Sequence, residues 1–223
     1  MKQLIDERER VLSDFLHGEK HRLALACHSM ARAFARGGTL AAFGTGAAAT
    51  DAAHVAVEFM HPVIVGKRAL PAIAPPADVR GALRAGDIAL GIDHCGGDPD
   101  VASFLHLARE RETLTISFGT EPADFVFTVA SDDARIVQEV QETTYHVLWE
   151  LVHVFFEHPG LLEDVCVTCG DVAVTARVVA IHDDNAVVER DGMREEVAVA
   201  LVDGLRVGDT VLCHAGVALE RVS

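Results

Sequence analysis

His54 and Glu58 stand four positions apart in Asp51-Ala-Ala-His54-Val-Ala-Val-Glu58, a spacing that puts an imidazole and a carboxylate on one face of a helix. Such a pair suits binding of a divalent metal or proton exchange with a substrate. Cys166-Val-Thr-Cys169 is the one cysteine pair whose spacing suggests chemistry. The chain has five cysteines, an odd number spread over its length, which argues against a disulfide framework. A structural zinc site would need four ligands, and no second Cys/His pair has finger spacing. Asp93-His94-Cys95-Gly96-Gly97-Asp98 is either a second set of cation-ligating side chains or a polar loop at a strand end. The turn Gly44-Thr45-Gly46 offers backbone N–H groups to an anion, and its glycines are equally what any tight strand-to-helix turn requires.

These residues need elements to hold them. Apolar residues recur at helical spacing from Leu4 to about Arg36, with a break near Gly18 and a stop at Gly37-Gly38, which predicts two antiparallel helices. Apolar runs then alternate with helical stretches: Thr39–Phe43, a helix near Ala47–Met60, Asp87–Ile92, a helix near Pro99–Arg111, Thr113–Phe118, Asp124–Val129, and a long helix from about Asp133 to Glu157. Alternation of this kind predicts a parallel sheet covered on both faces. His158-Pro159-Gly160 opens a linker, and beyond it the helical period is lost. Five short Val-rich segments separated by turn residues follow, which suits a small closed barrel. The expected architecture is α/β, with a parallel-sheet domain over residues 1–163 and an all-β barrel over residues 164–223.

Composition narrows the function. Of 223 residues 50% are hydrophobic, so a buried core is assured. With 19 Lys+Arg against 34 Asp+Glu the net charge is −15, and no basic run exceeds Lys67-Arg68. Electrostatic binding to nucleic acid or to an anionic membrane is therefore not expected. The charged N-terminus lacks the apolar stretch of a secretory signal, and no stretch is apolar enough to span a membrane, which predicts a cytoplasmic protein.

The stretch Gly44-Thr-Gly-Ala-Ala-Ala-Thr-Asp51-Ala-Ala-His54-Val-Ala-Val-Glu58-Phe resembles the corresponding loop and helix of phosphoheptose isomerases, members of the sugar isomerase (SIS) fold, which is flavodoxin-like. The resemblance continues through Arg68-Ala-Leu-Pro-Ala-Ile73, Gly86-Asp-Ile-Ala-Leu-Gly91, Leu114-Thr-Ile-Ser117 and Arg135-Ile-Val-Gln138-Glu-Val. It implies a metal-binding, acid/base site made of His54, Glu58, Gln138 and His146, with zinc as the expected ion. In an isomerase of this kind Glu58 and His146 would be the catalytic base and acid. Eight residues of helix between Gln138 and His146 rise about 12 Å, so convergence needs Gln138 at a frayed helix start or a site shared between subunits. The other reading of His54 and His146 is as ordinary, partly buried histidines. Binders of sugar phosphates in this family use a Ser/Thr-rich loop after the third strand. Here that loop, together with Gly44 and Gly46 the expected ligand-binding region, carries Asp93, His94, Cys95 and Asp98, and Ala48 stands where the first loop usually has Ser. Carboxylates repel a phosphate dianion.

The last 60 or so residues resemble the HypC/HupF hydrogenase-assembly chaperones, small OB-like barrels. The resemblance rests on Val178-Val-Ala-Ile181, Val197-Ala-Val-Ala-Leu-Val202 and Val207-Gly-Asp-Thr-Val-Leu-Cys-His214-Ala-Gly216. It implies a thiolate that helps hold an iron–cyanide–carbonyl cargo, with His214 as the basic group that depresses its pKa. In the family that cysteine follows the initiator Met and precedes a Pro-Gly turn. Here Thr175-Ala176 replaces Pro-Gly, and the family spacing counted back from Val178 reaches Asp171, which favours Cys169 over its rival Cys166. A spare thiol pair in a linker is the bland alternative.

Together the two resemblances imply a nickel–iron hydrogenase maturation factor that works with a hydrogenase large-subunit precursor and a HypD-like maturation protein. The SIS-like part would supply homo-oligomerisation or ligand binding. The contrasting expectations are a metal-dependent sugar-phosphate isomerase and an SIS-based structural adaptor.

Overall fold

A computed structural model describes residues 2–76, 83–158, 162, 174–182, 184–190, 192–214 and 216–222. Helix α1 (Lys2–Ala35) runs unbroken where two helices were expected. Gly18 has open space around it, and the turns on either side bury Val11, Phe15, Leu23, Ala26 and Met30. A mid-helix glycine costs about 1 kcal/mol, less than the burial on its two sides contributes. The helix ends at Gly37, whose φ of 89° is the left-handed conformation that closes a helix.

Strands β1 (Leu40–Gly44), β2 (Ala72–Ile73), β3 (Ile88–Ile92), β4 (Leu114–Phe118) and β5 (Phe125–Phe127) form one parallel sheet in the order β2-β1-β3-β4-β5. Every residue of β1 and β3 is buried. Since side chains alternate between faces, both faces of the sheet centre are covered, which is why these strands read as continuous apolar runs. Helices α2 (Ala48–Met60), α3 (Pro99–Glu110) and α4 (Ala134–Glu157) complete the unit, with α2 packed on β1 and α3 on β3 and β4. The chain leaves β1 toward β2 on one side and continues to β3 on the other. This order reversal opens a crevice at the carboxyl ends of β1 and β3.

Beyond α4, strands β6 (Val174–His182), β7 (Asn185–Arg190), β8 (Met193–Ala198), β9 (Thr210–His214) and β10 (Val217–Val222) close a barrel in the order β10-β8-β7-β6-β9. All neighbouring pairs are antiparallel except β8 with β10, which are parallel and registered through Ala198 and Val217. Val178, Ala186, Val188, Val197, Val211 and Ala218 fill its core. The chain thus carries the parallel α/β sheet followed by the small β-barrel that its residue pattern implies. The chain groups into two compact units, Met1–His153 and Val154–Ser223. No helix among the described residues is long and apolar enough to cross a membrane.

Candidate metal centre and its flanking loop

Helix α2 presents Asp51, His54 and Glu58 at positions i, i+3 and i+7, on one side of the helix. Helix α4 brings His146 to the same place. One ligand atom each from His54, Glu58 and His146 lies within 4.8 Å of the others. The edge of a zinc tetrahedron with bonds near 2 Å is about 3.3 Å, so small side-chain movements would bring all three onto one ion. Two imidazoles and a carboxylate are also a donor set that zinc accepts. His54 Nε2 is 3.3 Å from Glu58 Oε1, and the His54 and His146 rings meet edge-on with centroids 5.3 Å apart.

The other face of the His54 ring is also occupied. Its Nδ1 lies 3.0 Å from the phenolic oxygen of Tyr145 and 4.0 Å from Glu142 Oε1. Burial, with the negative charges of Glu142, Asp51 and Glu58 nearby, pushes the Tyr145 phenol well above its ordinary range. It therefore acts as a neutral O–H group. Gln138 is in the second turn of α4, not at a frayed end, and its amide nitrogen donates to Asp51 Oδ2 at 3.2 Å and Oδ1 at 3.4 Å. The structure therefore brings three of the four expected residues together within one subunit and ties the fourth to Asp51.

Asp51 links this centre to the loop after β3. His94 Nε2 lies 2.7 Å from Asp51 Oδ2, with both side chains about 10% exposed or less. The ring nitrogen is buried, with the Asp51 carboxylate as its close polar neighbour.

The two loop aspartates turn inward. Asp93 Oδ1 accepts the amides of Cys95 (3.0 Å) and Gly96 (2.9 Å), while Oδ2 accepts the amide of Asp98 (2.8 Å) and the Thr120 hydroxyl (2.5 Å). Asp98 caps α3 by accepting the amides of Asp100 and Val101, and its other oxygen takes the hydroxyl of Thr45. Gly97 donates to Thr120 Oγ1 and Ala102 to the Asp98 carbonyl. Every amide from Cys95 to Ala102, proline aside, is thereby used. At the start of α2 the amides of Ala48, Ala49 and Thr50 close short turns onto the carbonyls of Thr45, Gly46 and Ala47.

Burial alone would raise the Asp93 carboxyl, but the Thr120 hydroxyl and the three amides outweigh it and hold the group below the usual carboxylate range. The Thr45 hydroxyl, with the α3 amides, does the same for Asp98. Two glycines permit this fold of the chain. A Cβ on Gly44 would sit 2.6 Å from the Ala48 carbonyl, and one on Gly119, at φ 101°, 2.4 Å from that of Asp93. Gly46 also takes a positive φ, 54°.

Cys95 is exposed, while Cys27 and Cys213 are buried. Burial pushes the Cys27 thiol far up; burial and the charge of Glu195 push Cys213 up to about 12. Cys166 and Cys169 lie outside the described residues. His214 ends β9, at the turn into β10. Asp51, Tyr145, Thr45 and Thr120 were not singled out by sequence. Asp51 had a signal in its place one turn before His54 on the same helix face, and Tyr145 in its adjacency to His146.

Comparison with known proteins fits this geometry. The phosphoheptose isomerase of Pelobacter propionicus is 32% identical over 150 residues, covering 55% of this chain and 79% of that protein. That of Thermodesulfovibrio yellowstonii is 28% identical over 188 residues, covering 72% of this chain and 94% of that protein. The solved phosphoheptose isomerase of Francisella tularensis superposes with a TM-score of 0.63 at 19% identity, covering 69% of this chain and 96% of that one, and so shares the fold. Residues 172–223 match the HupF/HypC family. The chain belongs to the phosphoheptose isomerase family through its parallel-sheet domain and fuses to that domain a HupF/HypC barrel.

Proposed function

We propose that this chain is a nickel–iron hydrogenase maturation factor. The supporting observation is that the HupF/HypC match, residues 172–223, coincides with the strands that close the barrel. In this reading the barrel contacts the hydrogenase large-subunit precursor and a HypD-like partner. A thiolate at Cys169, or at Cys166, takes the iron–cyanide–carbonyl unit as cargo, since a soft thiolate suits low-spin iron. The SIS domain supplies homo-oligomerisation and a ligand site built around a zinc centre at His54, Glu58 and His146.

The test is complementation of a strain lacking the gene, read as hydrogenase activity and as co-purification of the precursor. Cys169→Ala should abolish maturation and Cys166→Ala should weaken it less; normal maturation by Cys169→Ala would sink the thiol assignment. Failure of the precursor to co-purify, with hydrogenase activity unaffected by loss of the whole chain, would sink the reading itself.

Family membership and the convergence of His54, Glu58 and His146 favour a second reading, a metal-dependent aldose–ketose isomerase with Glu58 as base and His146 as acid. Against it stands a loop whose amides are already bonded to the chain's own carboxylates and hydroxyl. Incubation with zinc and sedoheptulose 7-phosphate, followed by chromatography, should yield no product. Robust turnover would establish the isomerase instead.

A further inference from the structure

We infer that a second cavity, at the amino-terminal end of the parallel sheet, binds a small organic anion with an apolar body, and that the Arg84 guanidinium is its charge partner. This cavity lies at the other end of the strands from the crevice and shares no lining residue with it or with the candidate metal centre. The inference does not rest on the maturation reading.

The apolar wall follows from how far α3 reaches. Helix α3 packs on β1, β3 and β4, and Ala41 of β1 lies buried in one cluster with Leu83 and with Phe104, Leu105 and Ala108 of that helix. Ile73 on the edge strand β2 is registered with Ala41 and so faces the same side of the sheet, yet it is 42% exposed. Beyond the reach of α3, Ala41, Ile73, Pro75 and Leu83 form the apolar part of a cavity of about 610 Å³.

The polar part comes from the turns that feed β1 and β3. The Ile88 amide donates to the Thr39 carbonyl and the Gly86 amide to that of Glu112, which sets these turns side by side. Asp87 ties them together: Oδ1 accepts the Thr39 amide at 2.9 Å and Oδ2 the Arg84 amide at 2.8 Å. Both oxygens of the one carboxylate among the described lining residues are thus bonded to backbone, while the guanidinium of Arg84 has no hydrogen bond or ion pair among the described residues. Arg36, the residue after α1, also lines the cavity.

Charge at this end runs against that of the whole chain, which is −15. Arg36 follows α1, Arg109 and Arg111 close α3, and Lys67 and Arg68 precede β2; the parallel order puts them, with Arg84, at the amino ends of the strands, where Asp87, Glu110 and Glu112 are fewer. Arginines that close a helix complement its dipole, but Arg84 sits on a turn and lacks that reason. A guanidinium presents paired N–H donors that fit the oxygens of a carboxylate or of a phosphate ester. A bare ion would leave the apolar wall wet, and a neutral apolar molecule would leave the guanidinium unpaired. A molecule with an anionic end and an apolar body answers both, and the volume is that of an ordinary small-molecule site.

The experiment is calorimetric titration of the purified full chain with 1-naphthoate, 1-naphthyl phosphate, 1-naphthol and inorganic phosphate. The two aromatic anions distinguish a carboxylate ligand from a phosphate ester. At least one of them should bind about tenfold or more tightly than both naphthol and inorganic phosphate, the usual worth of a charge-assisted bond. Arg84→Gln should bring that anion down to the level of naphthol without moving the thermal midpoint, since the side chain it replaces is exposed. Arg84→Lys, which keeps the charge but not the fork, should fall between. Ile73→Ser should weaken the aromatic anion and leave inorganic phosphate unchanged. Binding of neither aromatic anion, equal binding of naphthol, or wild-type affinity in Arg84→Gln overturns the inference.

Discussion

The phenolic oxygen of Tyr145 lies 3.0 Å from Nδ1 of His54, on the side of the ring away from the nitrogen that faces Glu58. A histidine that gives Nε2 to a metal must carry its proton on Nδ1, and a partner for that proton fixes both tautomer and ring orientation. Tyr145→Phe removes one buried oxygen and nothing else, so the thermal midpoint should move little. Zinc affinity, measured by competition with a chromophoric chelator, should fall about 10–100-fold, the usual cost of losing such a supporting group. Unchanged affinity would make the contact one of packing alone.

Metal content tests the centre itself. Purified wild-type chain should retain zinc through dialysis, and His54→Ala/His146→Ala should not, because a single remaining carboxylate is a poor zinc ligand. If both proteins hold equally little metal by elemental analysis, the two histidines are structural.

Asp93 and Asp98 make a statement about acid stability. Their carboxyls are lowered in the folded chain relative to the unfolded one. The stabilisation they contribute is therefore complete above the unfolded value, about 4, and is lost as pH falls through the lower folded values. Urea midpoints should decline on that acid limb, and Asp93→Asn should flatten the decline. At neutral pH the same substitution should destabilise by on the order of 1–3 kcal/mol, because it weakens charge-assisted bonds to three amides and a hydroxyl.

Exposure separates the described thiols. Iodoacetamide at pH 8 should label Cys95 in the native protein, while Cys27 and Cys213 should react only in denaturant, since burial disfavours their thiolates. Peptide mass mapping distinguishes the sites. Native labelling of Cys213 would show that the barrel core opens readily.

Much of this architecture is readable from period alone. Five-residue apolar runs such as Leu40–Gly44 and Ile88–Ile92, alternating with helical stretches, read as central strands of a parallel sheet, and the glycines after α1 stop it where expected. Gly18 misled because local propensity is weaker than packing on both sides of it. The edge strand Ala72–Ile73 is too short to have a period. In the site, the helical spacing of His54 and Glu58 is legible, whereas the fate of Asp93 and Asp98 is not. Their partners Thr120 and Thr45 are 27 and 53 positions away, and only the fold makes them neighbours.

The barrel's ring of strands is not equally strong all the way round. Between β8 and β10 the described register is one residue pair, Val217 with Ala198, helped by the Ala198 amide donating to Gly216. Elsewhere four to six pairs join each neighbouring couple of strands. Thermal breathing finds the weakest line first, so amides along this seam should exchange with solvent while those of the β6–β7–β8 meander are still protected. A ring that opens at one place becomes, for moments, a curved sheet with two free edges.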